Sequence, residues 1–173
     1  MNTPNKLTLL RVIMIPVFMV VYMYFNEYPI ISAAIFALAF LTDMLDGYLA
    51  RKNNQVSNFG KIMDPLADKV LVAAAMVLLT ASGIINPWVT VLVLAREFAV
   101  SGIRIAAAAE GNVVAASVWG KIKTIWQFVA ITLALIFNEQ NLFIDILMWI
   151  NLALTVLSGA DYIIKNRKYI SLN

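Results

Sequence analysis

Six apolar segments follow one another along this 173-residue chain, with only short polar breaks between them. A helix needs about 20 mostly apolar residues to cross the hydrocarbon core of a bilayer, and each segment comes close to that length. The pattern predicts an all-α integral membrane protein. Its six transmembrane helices are expected at residues 7–26, 29–51, 58–82, 87–109, 117–137 and 141–164.

The composition agrees with this prediction. Hydrophobic residues make up 62% of the chain and charged residues only 13%, whereas a soluble domain carries about 25% charged residues. The excess of apolar side chains therefore has to face lipid rather than water. The length predicts a single domain over residues 1–173, with no separate soluble module. We expect membrane lipids as partners and no nucleic acid.

Positive charges predict the orientation of the chain. All 13 Lys and Arg residues avoid the loops after the first, third and fifth predicted spans. Because cytoplasmic loops carry the excess of Lys and Arg, both termini and the loops after the second and fourth spans should be cytoplasmic. The charged residues therefore predict a polar active-site cavity that faces the cytoplasm, in a multi-pass protein of the cell membrane.

Two residue types are missing, and their absence narrows the chemistry. The chain has no Cys, so it has no disulfide, no thiol nucleophile and no thiolate metal site. It also has no His, the commonest general base and transition-metal ligand. Any catalysis must use carboxylates, Lys, Arg, hydroxyl groups or hard cations.

Four aspartates lie in or beside the second and third predicted spans. Asp43 and Asp46 are three residues apart, and Asp64 and Asp68 are four apart, so each pair shares a helix face. Carboxylates within a membrane are costly and usually line a cavity, where they are paired or bound. Four neighbouring anions favour divalent cations, and their hard oxygens suit Mg²⁺ or Mn²⁺. The alternative interpretation is ordinary interhelical ion pairing with Lys and Arg.

The spacing of this stretch is that of a known signature: Asp43-x2-Asp46-Gly47-x2-Ala50-Arg51-x8-Gly60-x3-Asp64-x3-Asp68. It resembles the complete signature of the CDP-alcohol phosphatidyltransferase family, with every fixed position occupied. Members of that family have six spans with cytoplasmic termini, and they displace CMP from a CDP-linked lipid with an alcohol, without a covalent enzyme intermediate.

The resemblance implies a role for each signature residue. Asp43, Asp46 and Asp64 would be ligands of two divalent cations, and Asp68 would be both a ligand and the catalytic base. A pair of cations can clamp a pyrophosphate and stabilise the leaving phosphate. The residues implied to line the cytidine nucleotide pocket are Gly47, Ala50, Arg51 and Gly60. A homodimer is also implied by the resemblance alone.

The acceptor alcohol has to be inferred from other residues. Residues 4–11 (PNKLTLLR), 96–104 (REFAVSGIR) and 120–124 (GKIKT) resemble the branch of the family that uses glycerol 3-phosphate and forms phosphatidylglycerophosphate and CMP. Their cations suit a phosphate. We expect that phosphate to be bound by Arg96, Arg104, Lys121 and Lys123, with further candidates at Asn5, Thr8, Arg11 and Ser101.

Other interpretations remain open for these cations. Lys121 and Lys123 could lie at the membrane interface with their charged ends in water. Arg96 could only pair with a carboxylate, and Arg11 could only anchor the cytoplasmic end of its span.

Other functions also remain open. The acceptor could be an inositol phosphate, serine or a second phosphatidylglycerol. From a different class, the chain could be a divalent-cation transporter, although spans five and six hold no counterpart of the four aspartates, as repeated transporter halves would. A non-catalytic membrane scaffold would not need the aspartates.

Overall fold

The structure, a computed structural model, describes the backbone of residues 3–25, 27–52, 58–109 and 117–166 and the side chains of residues 9–25, 27–42, 67–108 and 117–166. Within these residues the chain forms six α-helices. They are α1 (Thr3–Tyr24), α2 (Pro29–Lys52), α3 (Asn58–Ala81), α4 (Pro87–Ala109), α5 (Val118–Phe137) and α6 (Leu142–Lys165).

The all-α prediction is confirmed, and most helix ends fall within two residues of the predicted ones. The largest difference is at α1, which begins at Thr3 rather than at residue 7. Hydropathy marks where an apolar segment begins, but a helix can extend into polar sequence beyond that point. Pro4 does not prevent this, because proline is tolerated in the first turn of a helix.

The turn between α3 and α4 is built from residues with clear local preferences. Gly83 adopts a φ of +75°, a left-handed conformation that glycine reaches without steric cost. The carboxamide oxygen of Asn86 accepts a hydrogen bond from the backbone N–H of Trp88 at 2.9 Å, which caps the start of α4. These residues end one helix and begin the next within a few positions.

The turn between α5 and α6 uses asparagines in the same way. Asn138 follows the last residue of α5 with a φ of +48°, and asparagine is among the few side-chain-bearing residues that tolerate this region. Asn141 is the N-cap of α6, and its side-chain oxygen accepts the backbone N–H of Ile144 at 2.9 Å. Both helices therefore have defined ends at this turn.

Two of the described helices, α5 and α6, are long and apolar enough to cross a membrane. In α1 and α2 the apolar stretches in the described residues are shorter, at Leu9–Tyr24 and Pro29–Thr42. Charged side chains lie within the apolar sequence of two helices: Arg11 in α1, and Arg96, Glu97 and Arg104 in α4. Except for Glu97, these are candidate site residues.

The helices separate into two compact units, each with its own core. The first unit consists of Met1–Ile84 and Ile131–Glu139. In it, α1 packs against α2 and α3, and the rings of Phe18 and Phe36 lie 5.8 Å apart, both fully buried. The Tyr22 hydroxyl also donates to the Ser82 hydroxyl at 3.0 Å, which ties the end of α1 to the end of α3.

The second unit consists of Ile85–Ala130 and Gln140–Asn173. In it, α4 packs against α6, and the indole N–H of Trp126 donates to the carbonyl of Leu147 at 3.2 Å, which joins α5 to α6. Its core also contains polar side chains. Those buried in this unit are Thr90, Lys123, Gln127, Asn151, Thr155 and Ser158.

Candidate active site

The four signature aspartates all lie on helical backbone in the first unit. Asp43 and Asp46 belong to α2, Asp64 and Asp68 belong to α3, and these consecutive helices pack against each other. Of the four, Asp68 alone has a described side chain, and it is partly buried. Among the side chains that the structure describes, no three carboxylates form a group that could hold a metal ion.

Arg11, on α1, is the other predicted site residue of the first unit whose side chain the structure describes. It is fully buried within that unit. A guanidinium is rarely buried in this way unless it is paired. The predicted residues whose side chains are not described are Asp43, Asp46, Asp64, Gly47, Ala50, Arg51, Gly60, Asn5 and Thr8.

The second unit brings two of the four predicted phosphate-binding cations together on one carboxylate oxygen. Oε1 of Glu97 accepts from Arg96 at 2.8 Å and from the ammonium of Lys123 at 2.6 Å. Lys123 also donates to the side-chain oxygen of Gln127, and Arg96 donates to the hydroxyl of Ser158 at 2.9 Å. We call these five residues the Glu97 cluster; it connects α4, α5 and α6.

The Glu97 cluster is largely shielded from the surroundings of the protein. The exposed fraction of the side chain is 15% for Arg96, 19% for Glu97 and 3% for Lys123. Ions buried to this extent are stable only when they are paired and hydrogen-bonded. The carboxylate of Glu97 therefore permits two cations to lie side by side inside an apolar unit.

Gly159 provides the space through which the Arg96 side chain passes. A Cβ atom built on Gly159 would lie 2.9 Å from Cγ and 3.3 Å from Nε of Arg96. These distances are shorter than ordinary van der Waals contact, so any larger residue would displace the arginine. The absence of a side chain at position 159 therefore sets the path of Arg96 between α4 and α6.

The remaining predicted acceptor residues have different surroundings. The guanidinium carbon of Arg104 lies 5.5 Å from the ring centroid of Tyr162, a cation–π contact, and its side chain is exposed. Lys121 is also exposed. The Ser101 hydroxyl donates to the carbonyl of Glu97 one turn earlier at 2.6 Å. Arg96 and Lys123 are thus the predicted cations that share a contact.

A family model of CDP-alcohol phosphatidyltransferases matches residues 1–157 of the chain. This match covers most of the sequence and includes the whole aspartate signature. The chain belongs to the CDP-alcohol phosphatidyltransferase family. It is therefore an enzyme of the phosphatidyltransferase class, as the signature predicts.

Curated relatives resemble this phosphatidyltransferase over nearly its full length. A CDP-diacylglycerol–glycerol-3-phosphate 3-phosphatidyltransferase of Bacillus subtilis is 39% identical, over 95% of each chain. A protein of the same name from Salmonella paratyphi A is 42% identical, over 94% of this chain and 93% of its own. A probable phosphatidylglycerophosphate synthase of Mycobacterium tuberculosis is 40% identical, over 94% of this chain and 80% of its own.

Several residues around the phosphatidyltransferase's buried cations are not identified from the sequence. Glu97 is recognisable as a carboxylate on the same helix face as Ser101 and Arg104, but its contact with Lys123 on α5 depends on how the helices pack. Ser158 and Gly159 lie just beyond the matched region and carry no charge or motif. A pair of small residues in an apolar helix indicates close packing against another helix. Here the pair lies where the Arg96 side chain passes between α4 and α6.

Proposed function

We propose that this phosphatidyltransferase transfers the phosphatidyl group of CDP-diacylglycerol to glycerol 3-phosphate and releases CMP. The observation that carries the proposal is the near full-length similarity to enzymes named for this reaction. The buried cations Arg96 and Lys123 support it, because a phosphorylated acceptor brings negative charge that neutral acceptors such as serine lack.

The bond changes follow from the substrates. A hydroxyl oxygen of glycerol 3-phosphate forms a bond to the phosphorus that carries diacylglycerol, and the bond between that phosphorus and the CMP oxygen breaks. The proton of the attacking hydroxyl goes to the Asp68 carboxylate, which is the proposed base because the chain contains no His. CMP leaves with the electron pair of the broken bond.

We propose that Asp43, Asp46, Asp64 and Asp68 hold two divalent cations, Mg²⁺ or Mn²⁺. The donor set fits: carboxylate oxygens are hard ligands, and all four positions lie on two packed helices, at spacings of three and four residues. When bound, such cations would clamp the pyrophosphate and stabilise the charge on the leaving CMP. Gly47, Ala50, Arg51 and Gly60 are the proposed nucleotide-binding residues.

We assign the acceptor phosphate to Arg96, Arg104, Lys121 and Lys123. Arg96 and Lys123 are buried and held in place, whereas Arg104 and Lys121 are exposed and can reach an incoming anion. A pair of buried, oriented cations with exposed cations nearby in sequence suits capture of a small anion from water. Asn5, Thr8, Arg11 and Ser101 remain further candidates for acceptor binding.

We also propose that all six helices cross the cell membrane, with both termini and the active-site cavity on the cytoplasmic side. The distribution of Lys and Arg supports this orientation. Glycerol 3-phosphate would enter from the cytoplasm, and CDP-diacylglycerol would enter from the bilayer. A homodimer is proposed from family resemblance.

The test is CMP release by the purified protein with CDP-diacylglycerol and Mg²⁺, with each acceptor offered separately. Release with glycerol 3-phosphate, and not with serine, inositol phosphate or phosphatidylglycerol, is the expected result. Release with a different acceptor would leave the class intact and change the substrate. Divalent-cation flux into sealed liposomes without any CMP release would identify a transporter instead.

A further inference from the structure

Glu97 joins two cations through a single oxygen atom. Its Oε1 accepts from both Arg96 and Lys123, at 2.8 Å and 2.6 Å. Because both nitrogens bind the same atom, the guanidinium and the ammonium are close neighbours although they belong to different helices, α4 and α5. Glu97 is thus the central residue of the Glu97 cluster.

The first consequence is electrostatic. Two adjacent cations repel each other, and the repulsion is strong where water is largely excluded. The Glu97 carboxylate attracts both cations and so offsets much of this repulsion. Glu97 thereby allows the guanidinium and the ammonium to lie close together inside the unit.

The second consequence is geometric. Lys and Arg have long flexible side chains, and holding one in place costs rotamer entropy. In the Glu97 cluster this rotamer entropy is lost when the protein folds, before any substrate binds. Lys123 is held by Glu97 and by Gln127 on the next turn of α5, and Arg96 is held by Glu97 and by Ser158 of α6. Cations fixed in this way bind an anion with less loss of freedom.

We propose that Glu97 is a positioning residue that holds Arg96 and Lys123 ready for the phosphate of the acceptor. This inference rests on the proposed function, which assigns these two cations to acceptor binding. Glu97 touches neither substrate in this proposal, and it acts through the two cations. Its loss should therefore affect the acceptor far more than the lipid nucleotide.

The test compares Glu97→Ala and Glu97→Gln with the wild type, using steady-state kinetics in which each substrate is varied separately. In Glu97→Ala, the KM for glycerol 3-phosphate should rise by about 10-fold or more, as expected for disrupted charge-assisted hydrogen bonds, while the KM for CDP-diacylglycerol stays within about twofold. Glu97→Gln keeps an oxygen acceptor of the same shape, so its acceptor KM should rise by a smaller factor, about 3- to 10-fold.

Asp161→Asn is the matched control. Asp161 forms an ion pair with Lys165 at 2.6 Å on α6 of the same unit, and the Lys165 side chain is 63% exposed. This variant also loses a paired carboxylate, whose side chain is 24% exposed, but a pair that is open to the surroundings at its lysine contributes little. Both KM values should stay near those of the wild type. Melting temperatures in detergent, recorded for all variants, show whether each one is folded.

Two results would overturn the proposal. One is a folded Glu97→Gln enzyme whose acceptor KM lies within about twofold of the wild type. The other is an equal rise of both KM values, which would show that Glu97 supports the whole structure. If Glu97→Ala does not fold, Glu97→Gln decides alone, because it preserves the size and shape of the side chain.

Lys123→Gln separates failure of this inference from failure of the proposed function. If Lys123→Gln raises the acceptor KM and Glu97→Gln does not, the cations bind the acceptor but Glu97 does not position them. If neither variant changes the acceptor KM, the assignment of the acceptor phosphate to these cations is wrong, and the inference is wrong with it.

Discussion

Gly159 is the residue on which the path of Arg96 depends. In Gly159→Ala, the added methyl group would lie 2.9 Å from Cγ of Arg96, so the arginine has to move. Alanine also favours a helix interior over glycine by about 1 kcal/mol. Displacement of Arg96 disturbs a buried ion pair, which outweighs this gain. We therefore expect the melting temperature to fall, while the KM for glycerol 3-phosphate rises several-fold. Differential scanning fluorimetry and steady-state kinetics on the same preparation measure both effects.

Gly102→Ala is the control for this prediction. Gly102 lies on α4, and a Cβ atom there would have no neighbour within 4 Å. The same chemical change should therefore leave the acceptor KM unaltered. A Gly159→Ala enzyme with the acceptor KM of the wild type would show that Arg96 adapts without cost, or that its position does not matter for binding.

Asp46 tests the metal proposal at a single position. Asn has nearly the same volume as Asp, but it lacks the negative charge that a divalent cation requires. Loss of a metal ligand removes several kcal/mol of transition-state stabilisation, so kcat in Asp46→Asn should fall by about 100-fold or more. Asp145→Asn, a change of the same type outside the signature, is the control. CMP release over a range of Mg²⁺ concentrations measures both, and full activity of Asp46→Asn would contradict the two-cation proposal.

The sequence predicts chemistry at single residues better than it predicts their partners. The aspartate signature and the candidate cations Arg96 and Lys123 follow from residue type and spacing alone. The bridge from Arg96 through Glu97 to Lys123 does not, because the two cations are 27 positions apart and their contact depends on the rotation of α5 against α4. Gly159 has no functional group, so its role can be recognised only once the position of the Arg96 side chain is known.

At the scale of helices, the N-cap of α6 gives a direct test of how the element begins. The side chain of Asn141 accepts the N–H of Ile144, and replacement of such a cap by alanine costs about 1 kcal/mol. Asn141→Ala should therefore lower the melting temperature in detergent, whereas Asn141→Asp, which keeps the acceptor, should not. Gln140→Ala, one residue earlier and outside the cap, is the control. Equal melting temperatures for Asn141→Ala and Gln140→Ala would show that the cap does not contribute.

The helices themselves are predictable because their ends carry local signals. Pro87 begins α4, Gly83 follows the end of α3, and asparagines flank the turn before α6. Such preferences act over a few residues, so they can be recognised without knowing the fold. Hydropathy places the start of α1 four residues too late. It detects where the apolar residues begin, whereas the helix already begins in the polar sequence before them.

At the scale of the whole molecule, the orientation in the membrane can be tested because the chain contains no Cys. A single introduced cysteine is then the one site of labelling. Glu139→Cys, in the turn between α5 and α6, should react with a membrane-impermeant maleimide from outside intact cells. Lys165→Cys, at the end of α6, should react after the cells are opened. Labelling of both positions from outside would contradict the proposed orientation.

The architecture of the molecule is only partly contained in the sequence pattern. Six helices follow from six apolar segments, but hydropathy does not indicate which helices pack together. The pairing of α4 with α6, and the polar residues buried between them such as Ser158, depends on side-chain fit over many positions. In an apolar helix, the face that contacts lipid and the face that contacts another helix are both apolar. The sequence therefore does not distinguish one from the other.

The central claim is that the acceptor hydroxyl supplies the oxygen of the new bond to phosphorus when CMP is displaced from CDP-diacylglycerol. Its most direct test uses glycerol 3-phosphate with ¹⁸O in the attacking hydroxyl, the purified enzyme, CDP-diacylglycerol and Mg²⁺, with both products analysed by mass spectrometry. We expect phosphatidylglycerophosphate to retain the label and unlabelled CMP to form in equal amount. Label in CMP, or CMP formed without a matching amount of the labelled lipid, would contradict it.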